Sequence, residues 1–319
     1  MSPLLPTPET DEAFYAVDPE TDYGPALQRI AVAANLDPAA QPVRFEEGSV
    51  PVFALGERVA KLYPPSCAPA YRNERTILDH IAGALPVATP RVVAAGPLDA
   101  WHFIVMERLP GQPLRARFDD IPPLDRPRLF SEIGDAVRRL HALSTHPLPR
   151  PDWSAIMKEQ RAGCVARHRR LGLDDTWLAR IDAFLDRTLP RASDLPADGH
   201  PVLLHTEVMR EHIFVDERDG RFEVSGLLDF EPSRVGPAAY ELPSVGLFLT
   251  EGDPALWSAF LDGLGVPPSQ RGDEHARHSM AWALLHRYAN LRWWLERLPA
   301  RSPRRSFDDL AQEWFGSAG

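Results

Sequence analysis

Cysteine is scarce. The 319 residues hold two, Cys67 and Cys164, and no CxxC pair. That removes a zinc ribbon and a dithiol redox motif, and two thiols so far apart are expected to stay reduced. An excess of positive charge is also lacking. The formal net charge is −10, which argues against general nucleic-acid binding, since that relies on many Lys and Arg contacts to phosphates. A small anion held by one local cation stays compatible with it. Long apolar runs are absent: none approaches the roughly 18 residues of a membrane span. The opening stretch MSPLLPTPETDEAF has no basic region followed by an apolar run, so the expectation is a cytoplasmic protein without a signal peptide. Internal repeats and low-complexity tracts are missing too.

What is plentiful is proline. There are 33, about twice the usual share, spread along the chain in a way that suggests rigid loops. Apolar content of 44 % and charged content of 25 % are ordinary, and the length suffices for one large domain or two lobes.

The texture changes along the chain. After a polar, irregular segment (1–23), PALQRIAVAANL (25–36) has near-helical apolar spacing. Strands are expected at 42–48, 50–56 and 58–64, a helix at 68–83, and two more strands at 89–99 and 101–109. Beyond the prolines at 110–113, helical patterns dominate: 124–145, 152–172, 174–189, 254–264 and 273–298, with strands only within 202–230. A β-rich part followed by a helix-rich part predicts an α+β protein of two lobes, divided near Pro110–Pro113. The corresponding domains are an N-terminal extension (1–24), an N-lobe (25–110) and a C-lobe (111–319).

The densest titratable chemistry sits in LLHTEVMREHIFV (203–215), a polar turn between two apolar runs. The turn signal DERDG (216–220) would fold RFEVSGLLDF back beside HIFV. That makes His205, Glu207, His212 and Asp229 candidate neighbours. Phosphoryl transfer uses such a set: one carboxylate accepts or orients the attacking hydroxyl, and others hold divalent cations against the phosphates. A zinc hydrolase built on His205, Glu207 and His212 is the competing chemistry, but the spacing is not H-E-x-x-H and no P-C-x-x-C follows.

These residues resemble the aminoglycoside phosphotransferase and choline kinase-like family, distant relatives of protein kinases. Its members carry His-Gly-Asp-x-x-x-x-Asn, then Asp-Phe about seventeen residues later. Here the same spacing reads His205-Thr206-Glu207-Val208-Met209-Arg210-Glu211-His212, then Asp229-Phe230. The resemblance extends through EEGSVPVFALGERVAKLYPP, YRNERTILDHI, FIVMERLPGQPL and VGPAAYELPSVG, so that residues 42–250 follow the family order. V-A-K-L-Y is similar to the hygromycin-type branch of antibiotic kinases.

The resemblance implies a bilobal protein-kinase-like fold and an enzyme that moves the γ-phosphate of ATP or GTP to a small-molecule hydroxyl, with Mg²⁺, or Mn²⁺ in its place. Glu207 stands at the catalytic base, and His212 and Asp229 at the metal ligands. Lys61 stands at the phosphate-binding lysine and Glu74 at its ion-pair partner. Gly48 and Ser49 lie in the loop over the phosphates. Glu107 and Leu109 would meet the adenine through backbone groups. The acceptor, a cationic aminosugar suited to an acidic protein, would sit between the catalytic turn and the helices of 254–298. No nucleic acid or membrane partner is implied.

Three positions depart from the pattern. Glu207 replaces aspartate, adding a methylene that moves the carboxylate by roughly 1.5 Å where about 1 Å can cost on the order of 100-fold in rate. His212 replaces asparagine, and imidazole suits zinc, manganese or cobalt better than magnesium. Glu241 replaces a structural aspartate. The alternative they raise is a nucleotide-binding pseudokinase with a regulatory or scaffolding role. His205 is expected to brace the loop, Arg210 and Glu211 to be solvated turn residues, and Trp293 and Trp294 to be core.

Overall fold

The computed structural model describes residues 3–7, 10, 21–39, 41–46, 48–189 and 200–318. Most of the polar N-terminal segment therefore lies outside the described residues. The chain divides into two compact units, the first formed by Met1–Ala84, Ala88–Pro110 and Gly226–Ser233, the second by Leu85–Val87, Gly111–Ser225 and Arg234–Gly319.

The first unit is a five-stranded antiparallel sheet with two helices. Strands β1 (Val43–Arg44), β2 (Val52–Leu55), β3 (Arg58–Tyr63), β4 (Val92–Leu98) and β5 (Trp101–Glu107) lie in the order β1-β2-β3-β5-β4. Side chains alternate across a strand, and β3 shows what that decides. Ala60 and Leu62 face one way and join the core made with Ala26, Leu27 and Ile30 of helix α1 (Gly24–Ala33), beside Phe103 and Val105 of β5. Lys61 and Tyr63 therefore face the other way, toward helix α2 (Ala68–Ile81). Helix α2 buries Tyr71, Glu74, Ile77, Leu78 and Ile81, one helical stripe with a carboxylate inside it.

The second unit is mainly helical: α3 (Arg126–His141), α4 (Trp153–Arg170), α5 (Asp175–Thr188), α6 (Pro254–Leu264), α7 (Asp273–Leu285), α8 (Leu291–Arg297) and α9 (Phe307–Phe315). Its core is aromatic, with Trp257, Trp282, Trp314, Phe260 and Phe315 fully buried. Helices α3 and α6 cross backbone to backbone through two glycines. A Cβ on Gly134 would lie 2.2 Å from the Phe260 carbonyl, and one on Gly263 would lie 1.9 Å from that of Ser131.

The α+β expectation holds, with three differences in detail. The helix expected over 273–298 is broken into α7 and α8: the chain leaves the helical path at His286, with ψ 138°, and Asn290 then starts α8, its side chain accepting from Trp293 N–H at 3.1 Å. Helix α9 was not expected; a capping box of Ser306 and Asp309 starts it. Strands also occur outside 202–230, as β6 (Gln112–Pro113) and β10 (Arg234–Gly236). Within that range, β7 (Val202–Leu204) pairs antiparallel with β10, and β6, β8 (Ile213–Arg218) and β9 (Arg221–Leu227) form a sheet in that order. Asp219 and Gly220 join β8 to β9 with φ of 52° and 76°, the left-handed pair that a two-residue hairpin turn requires. Both cysteines are free thiols. Among the described residues, no helix is long and apolar enough to cross a membrane.

Candidate active site

In the first unit the chemistry centres on Lys61. Its Nζ donates to Oε2 of Glu74 at 2.8 Å and to Oδ1 of Asp229 at 2.9 Å. Strand parity aims Lys61 at α2, and the apolar stripe of α2 holds Glu74 at the right height. Burial alone would lower the lysine pKa, but the carboxylates of Asp229 and Glu74 overcome it and hold it well above the usual value. Burial raises the pKa of Glu74, with Lys61 opposing.

Two residues of this cluster were missing from the sequence reasoning. The Tyr63 hydroxyl donates to the same Glu74 oxygen. Tyr63 is two residues from Lys61, so alternation alone places it on the same face. Asn73 donates its side-chain amide to the carbonyls of Glu231 at 2.7 Å and Ser233 at 2.8 Å. It thereby ties the segment after Asp229 to α2. Asp229 itself has φ 67°, a left-handed conformation that aspartate tolerates better than most side chains.

The nucleotide-side candidates are placed as follows. Gly48 has φ 138°, and a Cβ there would meet the Val50 carbonyl at 3.1 Å, so the turn before β2 favours glycine. Ser49 beside it is exposed. The Glu107 amide donates to the Arg91 carbonyl at 2.9 Å and is thus committed to the sheet. Leu109 is buried, its side chain lying against Gly226.

In the second unit, β7 delivers the polar turn. His205 is fully buried, and its amide donates to Oε2 of Glu241 at 2.8 Å. The next amide, of Thr206, donates to Oε1 at 2.6 Å. His141 Nε2 lies 3.3 Å from the same carboxylate, and a carboxylate there makes the imidazole the donor. Burial would raise the pKa of Glu241, but the hydrogen bond and charge of His141, then His205, hold it below the usual value. Ser244 completes the brace: its hydroxyl accepts from Val208 N–H at 3.2 Å and donates to the Glu241 carbonyl at 2.9 Å. The bracing role expected of His205 is visible in its Nδ1, which accepts from Glu207 N–H at 3.3 Å.

At the far end of the turn, His212 Nδ1 lies 2.9 Å from the Glu207 carbonyl. A ring nitrogen of His212 and a carboxylate oxygen of Glu207 lie within 4.8 Å as possible metal ligands. The solvated reading of Arg210 is overturned. Arg210 is buried, its Nε donates to the Leu249 carbonyl at 2.8 Å, its Nη1 pairs with Glu251 at 3.1 Å, and its guanidinium lies 3.6 Å from the centre of the Phe118 ring. Burial lowers its pKa to about 10. Arg115 bridges Glu211 at 2.8 Å and Glu251 at 2.6 Å, so Glu211 is a structural partner too. Trp294 is core, and Trp293 packs against Phe248 with ring centres 5.7 Å apart.

A sequence model of the phosphotransferase enzyme family matches residues 43–282. Solved structures match over most of the chain. The GDP and kanamycin complex of APH(2")-IIia is 14 % identical with a TM-score of 0.67, covering 92 % of this chain and 98 % of that one. Aminoglycoside phosphotransferase APH(3'')-Id from Streptomyces rimosus ATCC10970, in complex with ADP and streptomycin, is 21 % identical with a TM-score of 0.58, covering 83 % and 98 %. At these identities the likeness is one of fold, and that fold is protein-kinase-like. Among curated proteins, the lysine-specific demethylase JMJ21 of Arabidopsis thaliana is 21 % identical over 212 residues. The match covers 52 % of this chain but only 22 % of that protein, so the chain spans about a fifth of the relative's length.

Proposed function

The chain belongs to the phosphotransferase enzyme family, and on that premise we propose that it transfers the γ-phosphate of ATP or GTP to a hydroxyl of a small molecule. The acceptor class we infer is a cationic aminosugar, as in antibiotic-resistance kinases. Relatives of the same fold crystallised with kanamycin or streptomycin and with GDP or ADP support that choice.

The observation that carries the reading is the buried Lys61 held by two carboxylates, Glu74 and Asp229. A lysine is buried only when paired. A lysine poised by a helix glutamate and offered to phosphates is the arrangement phosphoryl transfer needs. Each residue then has a task. Lys61 binds the α- and β-phosphates, with Glu74 fixing its direction and Tyr63 steadying Glu74. Gly48 and Ser49 cover the phosphates with backbone groups. The adenine edge meets the Glu107 carbonyl and the Leu109 amide. Glu207 accepts the proton of the attacking hydroxyl, and a glutamate is chemically competent as that base.

Asp229 and His212 would hold a divalent cation, which when bound neutralises charge on the phosphate oxygens. The donor chemistry fits such a cation: Asp229 offers a carboxylate and His212 an imidazole, and within the turn a carboxylate oxygen of Glu207 lies within 4.8 Å of a His212 ring nitrogen. We assign nucleotide binding to 25–110 and the catalytic turn with the acceptor site to 111–319. Asp229, though far along the chain, packs with the first unit.

The test is phosphate transfer from labelled ATP and GTP to kanamycin, streptomycin and a wider hydroxyl panel, with Glu207→Gln as control. Acceptor-dependent transfer that collapses in Glu207→Gln supports the proposal. Nucleotide binding with no transfer to any acceptor would leave the pseudokinase reading instead.

A further inference from the structure

The turn carries a second kind of information, in the tautomer of His212. Its Nδ1 lies 2.9 Å from the backbone carbonyl of Glu207. A carbonyl oxygen only accepts, so Nδ1 carries the proton and, in the neutral ring, Nε2 carries the lone pair. Metal-ligating histidines are held in this way, with one ring nitrogen donating to a carbonyl and the other presented to the ion. The backbone that carries the ring is held as well. The His212 amide donates to the Met209 carbonyl at 3.0 Å, and the following amide, of Ile213, donates to the same oxygen at 3.2 Å. Glu207, in the same turn, supplies a carboxylate oxygen within 4.8 Å of a ring nitrogen of His212.

We propose that this turn selects a nitrogen-accepting divalent transition metal, Mn²⁺, Co²⁺ or Zn²⁺, over Mg²⁺. The inference rests on the reading above that His212 is a metal ligand. Mg²⁺ demands hard oxygen donors and gives up its waters reluctantly, whereas imidazole is a good donor to the later first-row ions. Exchanging an amide oxygen for a preoriented imidazole nitrogen therefore shifts the preference of the site without removing its charge. His212→Asn restores an oxygen donor at the same position.

The experiment uses the full chain with ADP and Mn²⁺, read by electron paramagnetic resonance. Bound Mn²⁺ should show nitrogen-14 modulation from a directly ligated imidazole, absent in His212→Asn. Titration of Mg²⁺ against bound Mn²⁺ should show a preference for Mn²⁺ that falls by about tenfold or more in the variant. ADP affinity without metal, measured by calorimetry, should be the same in both proteins, which checks that the variant is folded. If Mn²⁺ binds with ADP but shows no nitrogen modulation, or if the preference is unchanged in His212→Asn, the inference is overturned and the phosphotransferase reading stands. If neither ADP nor metal binds, both fall.

Discussion

Thr206 gives its amide to the Glu241 carboxylate at 2.6 Å while its own backbone sits at φ 74°. A β-branched residue in the left-handed region is strained by on the order of 1–3 kcal/mol, and two successive amides captured by one carboxylate hold it there. Where family members carry glycine, this chain carries threonine. Thr206→Gly should therefore stabilise the protein by about 0.5–1 kcal/mol, the relief of strain being partly offset by the flexibility of glycine in the unfolded chain. Urea unfolding checks it, and a lower midpoint at unchanged slope would show that the turn is not strained.

The same carboxylate makes a pH prediction. The pKa of Glu241 is lowered from the ordinary 4.5, through His141 and His205 and against the effect of burial. A group depressed in the folded state contributes stability that is fully present above its unfolded pKa. That contribution is lost as pH falls through the folded value. Wild type should thus weaken steadily below about pH 4.5. Glu241→Gln should be less stable at pH 7 and should have a flatter acid limb. Midpoints measured from pH 3 to 7 decide between this and an unchanged acid limb.

Removing one partner of the Lys61–Glu74 pair strands a buried charge. Lys61→Met should cost about 3–5 kcal/mol, and Lys61→Met with Glu74→Gln should cost less than the sum of the two single changes. Tyr63→Phe removes a donor to Glu74 and should cost about 1–3 kcal/mol. A double-mutant cycle that proves additive would mean the three groups do not act as a unit.

Arg210 is a second buried cation, with one carbonyl, one carboxylate and one aromatic ring as partners. Lysine reproduces the charge but neither the planar fork nor the stacking. Arg210→Lys should lose about 2–4 kcal/mol of stability, and Arg210→Met at least as much, because Glu251 then keeps only Arg115 and the Leu249 carbonyl loses its donor. Thermal and urea unfolding measure both, and a loss under about 0.5 kcal/mol, the scale of an ordinary surface substitution, would return Arg210 to the surface.

Much of this was legible in the chain. The order of strands and helices, the Lys61 strand, the Asp219-Gly220 turn and the spacing of His205, Glu207, His212 and Asp229 depend on local periodicity and on motif distance, both of which a sequence states directly. Glu74 was legible only through the family resemblance; the structure adds that it lies on the buried stripe of α2 with Tyr71, Leu78 and Ile81.

What only the tertiary structure decided lies in long-range pairing. Asn73 meets carbonyls 158 and 160 residues away, and Arg210 meets the Leu249 carbonyl, Glu251 and the Phe118 ring. A polar residue in a turn reads as solvated unless distant elements close over it, and no local pattern records that closure. The starts of α8 at Asn290 and of α9 at Ser306 lie between these extremes: the capping residues are in the sequence, but whether a cap is used depends on which helix packs beside it. Sequence thus determined the elements, the motif and the family to which the chain belongs. Packing decided which of its charged side chains are buried, and with which partners, because burial is a property of the whole folded surface and not of any one segment.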